Sequence, residues 1–261
     1  MINKAVFLYT FLRLAQPTTV IKLVLFVLAI PTALVYPLHQ APDVSVDLEP
    51  LISFFASPVM TLVVSFMFVS SSIGNTKSLD DGEYLALLFS RPLHRSTYIF
   101  SKWLAGSILV CAVIGLQLIY FIILINMIGR GAQFSMGFTD TINLALNAFG
   151  TTALVVMIHA FPAKIGVILF AALFYLSFAA PLMVQLIPNT ALFFGVDFRN
   201  TVKTACNVLR AFMYSPIDMD VYLSSIKMVW LPAVSFVSNT ALYLCIAVVI
   251  MNKREFFYTN E

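Results

Sequence analysis

Six stretches of this sequence are apolar for long enough to cross a bilayer, and they dictate what the chain can fold into. They cover residues 20–36, 51–73, 103–128, 141–161, 164–187 and 229–251. A helix needs roughly 20 residues to span the hydrocarbon core. Inside that core no water serves the backbone, so a single crossing segment must bond within itself, as a helix does. The expectation is an all-α polytopic membrane protein, with residues 1–261 forming one transmembrane domain of six transmembrane helices. Only 10% of the residues are charged and 61% are hydrophobic, whereas a soluble domain is about one quarter charged. So much apolar surface cannot be hidden in one soluble core. Pro31 is expected to kink the first span, Pro58 lies near the outer end of the second, and Pro181 falls within the fifth. Phe161, Pro162 and Ala163 leave room only for a tight antiparallel turn between the fourth and fifth spans.

Orientation follows from lysine and arginine, which concentrate on the cytoplasmic side. With the N-terminus inside, the inner segments hold Lys4, Arg13, Lys22, Lys77, Arg91, Arg95, Lys102, Lys164, Lys253 and Arg254. The outer segments hold Arg130, Arg199, Lys203, Arg210 and Lys227. Four of those five lie in one long segment, which weighs less in the rule. The first outer loop carries Asp43, Asp47 and Glu49 and no base. Both termini are therefore expected inside. The first apolar run lacks a small-residue cleavage site and reads as a retained span.

Three segments outside the spans have a pattern of their own. Residues 2–16 mix apolar positions with Lys4, Arg13 and Gln16, as an interfacial helix would. Residues 188–227 form an outer segment in which Val202, Ala205, Cys206, Leu209 and Phe212 recur at helical spacing, so short outer helices are expected between spans five and six. The third segment, residues 78–103, is the most charged part of the chain. Asp80, Asp81 and Glu83 open it, Leu85, Leu87, Leu88 and Phe89 follow, and Arg91, His94, Arg95 and Lys102 close it. Acids first and bases last suit a helix dipole. Asp80 or Asp81 can cap the helix, Pro92 stops it, and Ser96 can cap the next helix, which enters the membrane. Such a helix can lie on lipid headgroups, or it can be a handle gripped by another protein. It can also be a solvated loop that serves orientation alone.

The run Leu87 to Gly106, LLFSRPLHRSTYIFSKWLAG, resembles the loop between the second and third spans of type-2 ABC transporter permeases. That family shows a Leu-Leu-Ser-x-Pro-x-x-Arg pattern, then an aromatic or apolar residue and a base opening the third span. Leu87, Leu88, Ser90, Pro92, Arg95, Tyr98 and Lys102 take those places, with Phe89 inserted. Gly82-Glu83-Tyr84 stands where family members often carry Gly-Thr-Leu. The resemblance implies a cytoplasmic coupling helix that docks a separate ABC ATPase. Its docking residues would be Asp80, Asp81, Glu83, Leu85, Leu87, Leu88, Arg91 and Arg95. It also implies a second copy of the chain, or a similar permease, as partner, with ATP and Mg held by the ATPase. The membrane would be the bacterial inner membrane, and export the direction.

The sequence itself offers no catalytic machinery. It has no G-x-x-x-x-G-K-[ST] loop for phosphates and no H-E-x-x-H, and His39, His94 and His159 are far apart. Cys111, Cys206 and Cys245 have no metal-ligand spacing, and the methionines are not paired at short spacing. No metal, bound cofactor or nucleic-acid partner is expected, and no enzymatic activity. Near the middle of the spans no acid or base occurs, although proton- and ion-coupled transporters keep one there. Driving energy from a partner fits this better than the alternative, a secondary transporter or channel not driven by ATP. Candidate pathway-lining residues are Ser71, Gln117, Asn147 and Thr151, for which packing between helices is the competing role.

Overall fold

The computed structural model describes residues 3–8, 17–40, 58–72, 94–127, 138–175 and 230–253. Six helices longer than two turns account for most of them: α1 (Pro17–Gln40), α2 (Pro58–Ser72), α3 (Arg95–Met127), α4 (Phe138–Ala160), α5 (Ala163–Phe174) and α6 (Trp230–Lys253). No strand occurs among the described residues. Three stretches are long and apolar enough to cross a membrane: Arg95–Met127, Thr141–Ala160 and Ala233–Lys253. Val20–Tyr36 and Met60–Val69 are shorter apolar helices within the first two runs, and α5 covers the first half of the fifth. The rest of the fifth run, the outer segment 188–227 and most of the 78–103 loop lie outside the described residues.

The helix expected to enter the membrane from Ser96 is present and starts slightly earlier. α3 is one unbroken helix of 33 residues that begins at Arg95, eight residues before the apolar run. The Tyr98 amide donates to the His94 carbonyl at 3.2 Å, so His94 precedes the first turn and Ser96 lies inside it rather than capping it. At ~1.5 Å per residue the helix measures some 50 Å, well beyond the hydrocarbon core. A helix of that length is longer than an apolar layer is thick.

α4 is the hub, packing against α2, α3, α5 and α6. Every residue from 151 to 158 is buried. α1 packs chiefly on α3 and turns Ile21, Val24, Leu25 and Leu28 outward. α5 exposes Ile165, Val167 and Ile168, and α6 exposes Val234, Val237 and Val249. Water disfavours such a surface, and lipid accepts it.

Directions can be read from contacts. Phe26 and Thr32 of α1 meet Gln117 and Tyr120 of α3 in the same order, so these helices run the same way. Arg95, at the start of α3, meets Met251 and Asn252 at the end of α6, so that pair runs oppositely. The turn expected at 161–163 is present. The Phe161 amide donates to the Ile158 carbonyl at 3.2 Å, and the Gly166 amide to the Pro162 carbonyl at 2.9 Å. A Cβ at Gly166 would stand 2.9 Å from the Ile158 carbonyl oxygen, so glycine is what lets α5 fold back onto α4.

Candidate functional site

The sequence-derived site residues divide into three groups. Asp80, Asp81, Glu83, Leu85, Leu87, Leu88 and Arg91 lie outside the described residues. Ser71 falls in the last turn of α2. Arg95, Gln117, Asn147 and Thr151 have defined surroundings, and the structure does not bring these four together.

Arg95 lies at a junction where α3 begins and α4 and α6 finish. Its guanidinium donates to the Met251 carbonyl and, at 2.9 Å, to the Asn252 carbonyl. The last four carbonyls of a helix have no donor within that helix. They also form the negative pole of its dipole, so a fixed cation there is favoured. Two turns further along α3, Lys102 is only 1% exposed. Its ammonium lies 5.5 Å from the Tyr98 ring centroid, within cation–π range. Lys102, Tyr98 and Ile99 of α3 share a void of about 10 Å³ with Val156 and Ala160 of α4 and Met251 of α6. Arg95 and Lys102 are thus both set against the carboxyl ends of other helices.

The N-terminal segment closes the junction from another side. Residues 4–8 are helical, and the Asn3 side chain caps them by accepting from the Ala5 amide at 2.9 Å and the Val6 amide at 3.3 Å. The Asn3 amide donates to Ser101 Oγ at 2.9 Å, and Ser101 passes its own proton to the Thr97 carbonyl at 2.7 Å. Val6 is 1% exposed while Lys4, Ala5 and Leu8 face outward. Val6 is therefore sealed against the bundle, while residues 9–16 of the expected interfacial helix lie outside the described residues. Next to Lys102 in the chain is Trp103, whose indole donates to the Phe149 carbonyl of α4 at 3.0 Å and meets the Phe149 ring edge-on at 5.6 Å.

The other polar candidates sit between helices. Thr151 donates to the Asn147 carbonyl at 2.7 Å, so the Ser65 hydroxyl of α2, 3.3 Å away, is the donor of that pair. Ser65 also lies 3.3 Å from Thr152 Oγ1. Gln117 is wholly buried; its amide nitrogen donates to the Phe26 carbonyl at 3.2 Å, and its Oε1 finds no partner among the described residues. Asn147 is half-buried one turn before Thr151. His159 stacks on Phe66 at 5.3 Å. No cluster of metal-ligating side chains occurs among the described residues.

Sequence reasoning identified the basic residues but not the junction they build. Its signals are faint: Tyr98 and Lys102 are four residues apart on one helix face, but nothing in the sequence says that Met251 covers them. No protein-family model, curated protein or solved structure matches the chain.

Proposed function

We propose that this chain is the membrane-spanning subunit of an ATP-driven type-2 ABC transporter of the bacterial inner membrane, with both termini cytoplasmic. In this reading a separate ABC ATPase grips the loop at 78–95, binds ATP and Mg, and pulls on the loop as its halves close. Two permease chains pair, as the ATPases do, and substrate leaves the cell through the paired chains. This chain contributes no catalytic group; it transmits movement and shapes the path.

One observation carries the reading. The motif Leu87 to Gly106 ends in the first turns of α3, and those turns are clamped by the ends of α4 and α6. A partner holding the loop would have a direct handle on three helices. Where an ion-coupled carrier would keep a charge, the described parts of the spans hold none: Lys102 and Lys22 sit toward the starts of α3 and α1. The opposed directions of α3 and α6 also agree with a chain that alternates across the membrane.

The deciding experiment is co-purification of the chain with a span-less ABC ATPase, followed by ATP hydrolysis and transport in lipid vesicles. Glu83→Arg with Leu87→Asp should insert normally yet lose both the ATPase and transport. Apolar anchors dominate interface energy, so a charge at Leu87 removes the centre of the contact. Wild-type binding and transport by that double variant would falsify the coupling role of the loop.

A further inference from the structure

We propose that Arg95 is a positioning residue that yokes the first turn of α3 to the last turn of α6, so that a displacement where the chain enters α3 carries the end of α6 with it. The inference rests on the permease reading for the force that moves the loop; the yoke itself does not.

Arg95 is attached through both its backbone and its side chain. Its backbone is the first residue of α3, where the loop ends. Its guanidinium holds the Met251 and Asn252 carbonyls, which lie 156 and 157 residues further along the chain. Both carbonyls belong to the last four of α6, which lack donors of their own. A guanidinium stays charged throughout the physiological range and presents several donors in a fixed plane, so the link is permanent and directional. The joint is also close-packed. Tyr98 and Lys102 are 2% and 1% exposed. The void they share with Met251 is about 10 Å³, room for about one water. A close-packed contact of this kind moves as a body or breaks; it does not slide smoothly.

The test is hydrogen–deuterium exchange on the full chain in lipid nanodiscs, without ATPase. Arg95→Ala should speed exchange of the amides at 249–253 about tenfold, since a charged cap on a helix end is lost. Arg95→Lys keeps the charge and should give an intermediate rise of about threefold. Leu87→Asp, in the loop, should leave these amides as in the wild type. Unchanged exchange in Arg95→Ala overturns the yoke, and so does an equal rise at 153–158 in α4, which would mean general loosening. Should Arg95→Ala fail to accumulate, Arg95→Lys decides alone: a rise confined to 249–253 supports the yoke, and none overturns it. Where each variant binds the ATPase as the wild type does, transport should fall from wild type through Arg95→Lys to Arg95→Ala. Undiminished transport in Arg95→Ala overturns the transmitting role even where exchange has risen. If the wild type binds no ATPase, the permease reading fails, and exchange still decides the yoke.

Discussion

Gly106 of α3 and Thr152 of α4 meet so closely that no side chain fits between their helices. A Cβ at Gly106 would stand 2.9 Å from Thr152 Cγ2 and equally close to Val69 Cγ2 of α2. Three helices therefore converge on one missing methyl group. Without a hydrophobic drive between helices in lipid, close backbone approach at small residues is what holds a bundle together.

That contact gives a stability prediction with an internal control. Gly106→Ala should lower stability by about 1 kcal/mol and Gly106→Leu by about 3, because Val69 and Thr152 are β-branched and turn little. Gly115, on the same helix, has nothing within 4 Å of its would-be Cβ. Gly115→Ala should be neutral or gain about 0.5 kcal/mol from helix propensity. Thermal denaturation of the detergent-solubilised variants measures all three; equal midpoints for the Gly106 and Gly115 alanine variants would contradict the packing described.

Trp103 supplies a second prediction. Trp103→Phe keeps an aromatic ring against Phe149 but loses the bond to its carbonyl. Interhelical hydrogen bonds in membranes average about 0.6 kcal/mol, so the loss should be small. Trp103→Ala, which also empties the ring's space, should cost about 3 kcal/mol or more. If the two variants are equally destabilised, the ring contact contributes nothing and the indole bond everything.

The positions of these helices were legible in the sequence, and their faces were not. Runs at 103–128, 141–161 and 229–251 fall on α3, α4 and α6 to within a few residues at most ends. Pro162 and Gly166 mark the fold-back of α5. In a soluble helix the apolar stripe would also reveal the packed face. Here lipid and core are both apolar: Leu116 is 50% exposed and Leu118 is 3% exposed, and the two leucines are alike on paper. A start of α3 ahead of its apolar run was legible in the cap expected at Ser96; what steadies that start was not. Arg95 and Lys102 precede the apolar run, and the structure sets both against the ends of other helices. Arg95 and Lys102 were visible as a basic pair, whereas Met251, Ala160 and Ser101, which complete the junction, carry no charge or motif.

The sidedness of this junction yields a labelling prediction. Arg95, Lys102 and Lys253 lie at one end of the bundle, which the positive-inside rule assigns to the cytoplasm. In a variant without the native cysteines, Asn252→Cys should resist a membrane-impermeant thiol reagent in intact cells and react once the inner side is opened. Asp218→Cys, in the outer segment, should react in intact cells. The reverse pattern would invert the topology.

Gln117 gives the last prediction, and its sign depends on weighing two small terms. The amide nitrogen bonds to the Phe26 carbonyl across the α1–α3 contact. That carbonyl belongs to a helix and has a backbone donor of its own, so losing Gln117 leaves it served. The bond is then worth about 0.6 kcal/mol, the membrane average. Against it stands Oε1, buried and without a partner among the described residues. Leaving such an acceptor unsatisfied costs about 1–3 kcal/mol. Gln117→Leu, nearly equal in volume and wholly apolar, removes both terms, so the variant should be as stable as the wild type or more stable by about 1 kcal/mol. Gln117→Glu keeps the shape, and its carboxyl can donate to the Phe26 carbonyl only while protonated, so the variant should be less stable than the wild type and lose further stability as pH rises. The measurement is the thermal midpoint of each variant in the same detergent. A Leu variant markedly less stable than the wild type would mean that Oε1 has a partner in the membrane, such as a bound water. Gln117 would then belong to a hydrated path through the bundle rather than to the packing between α1 and α3.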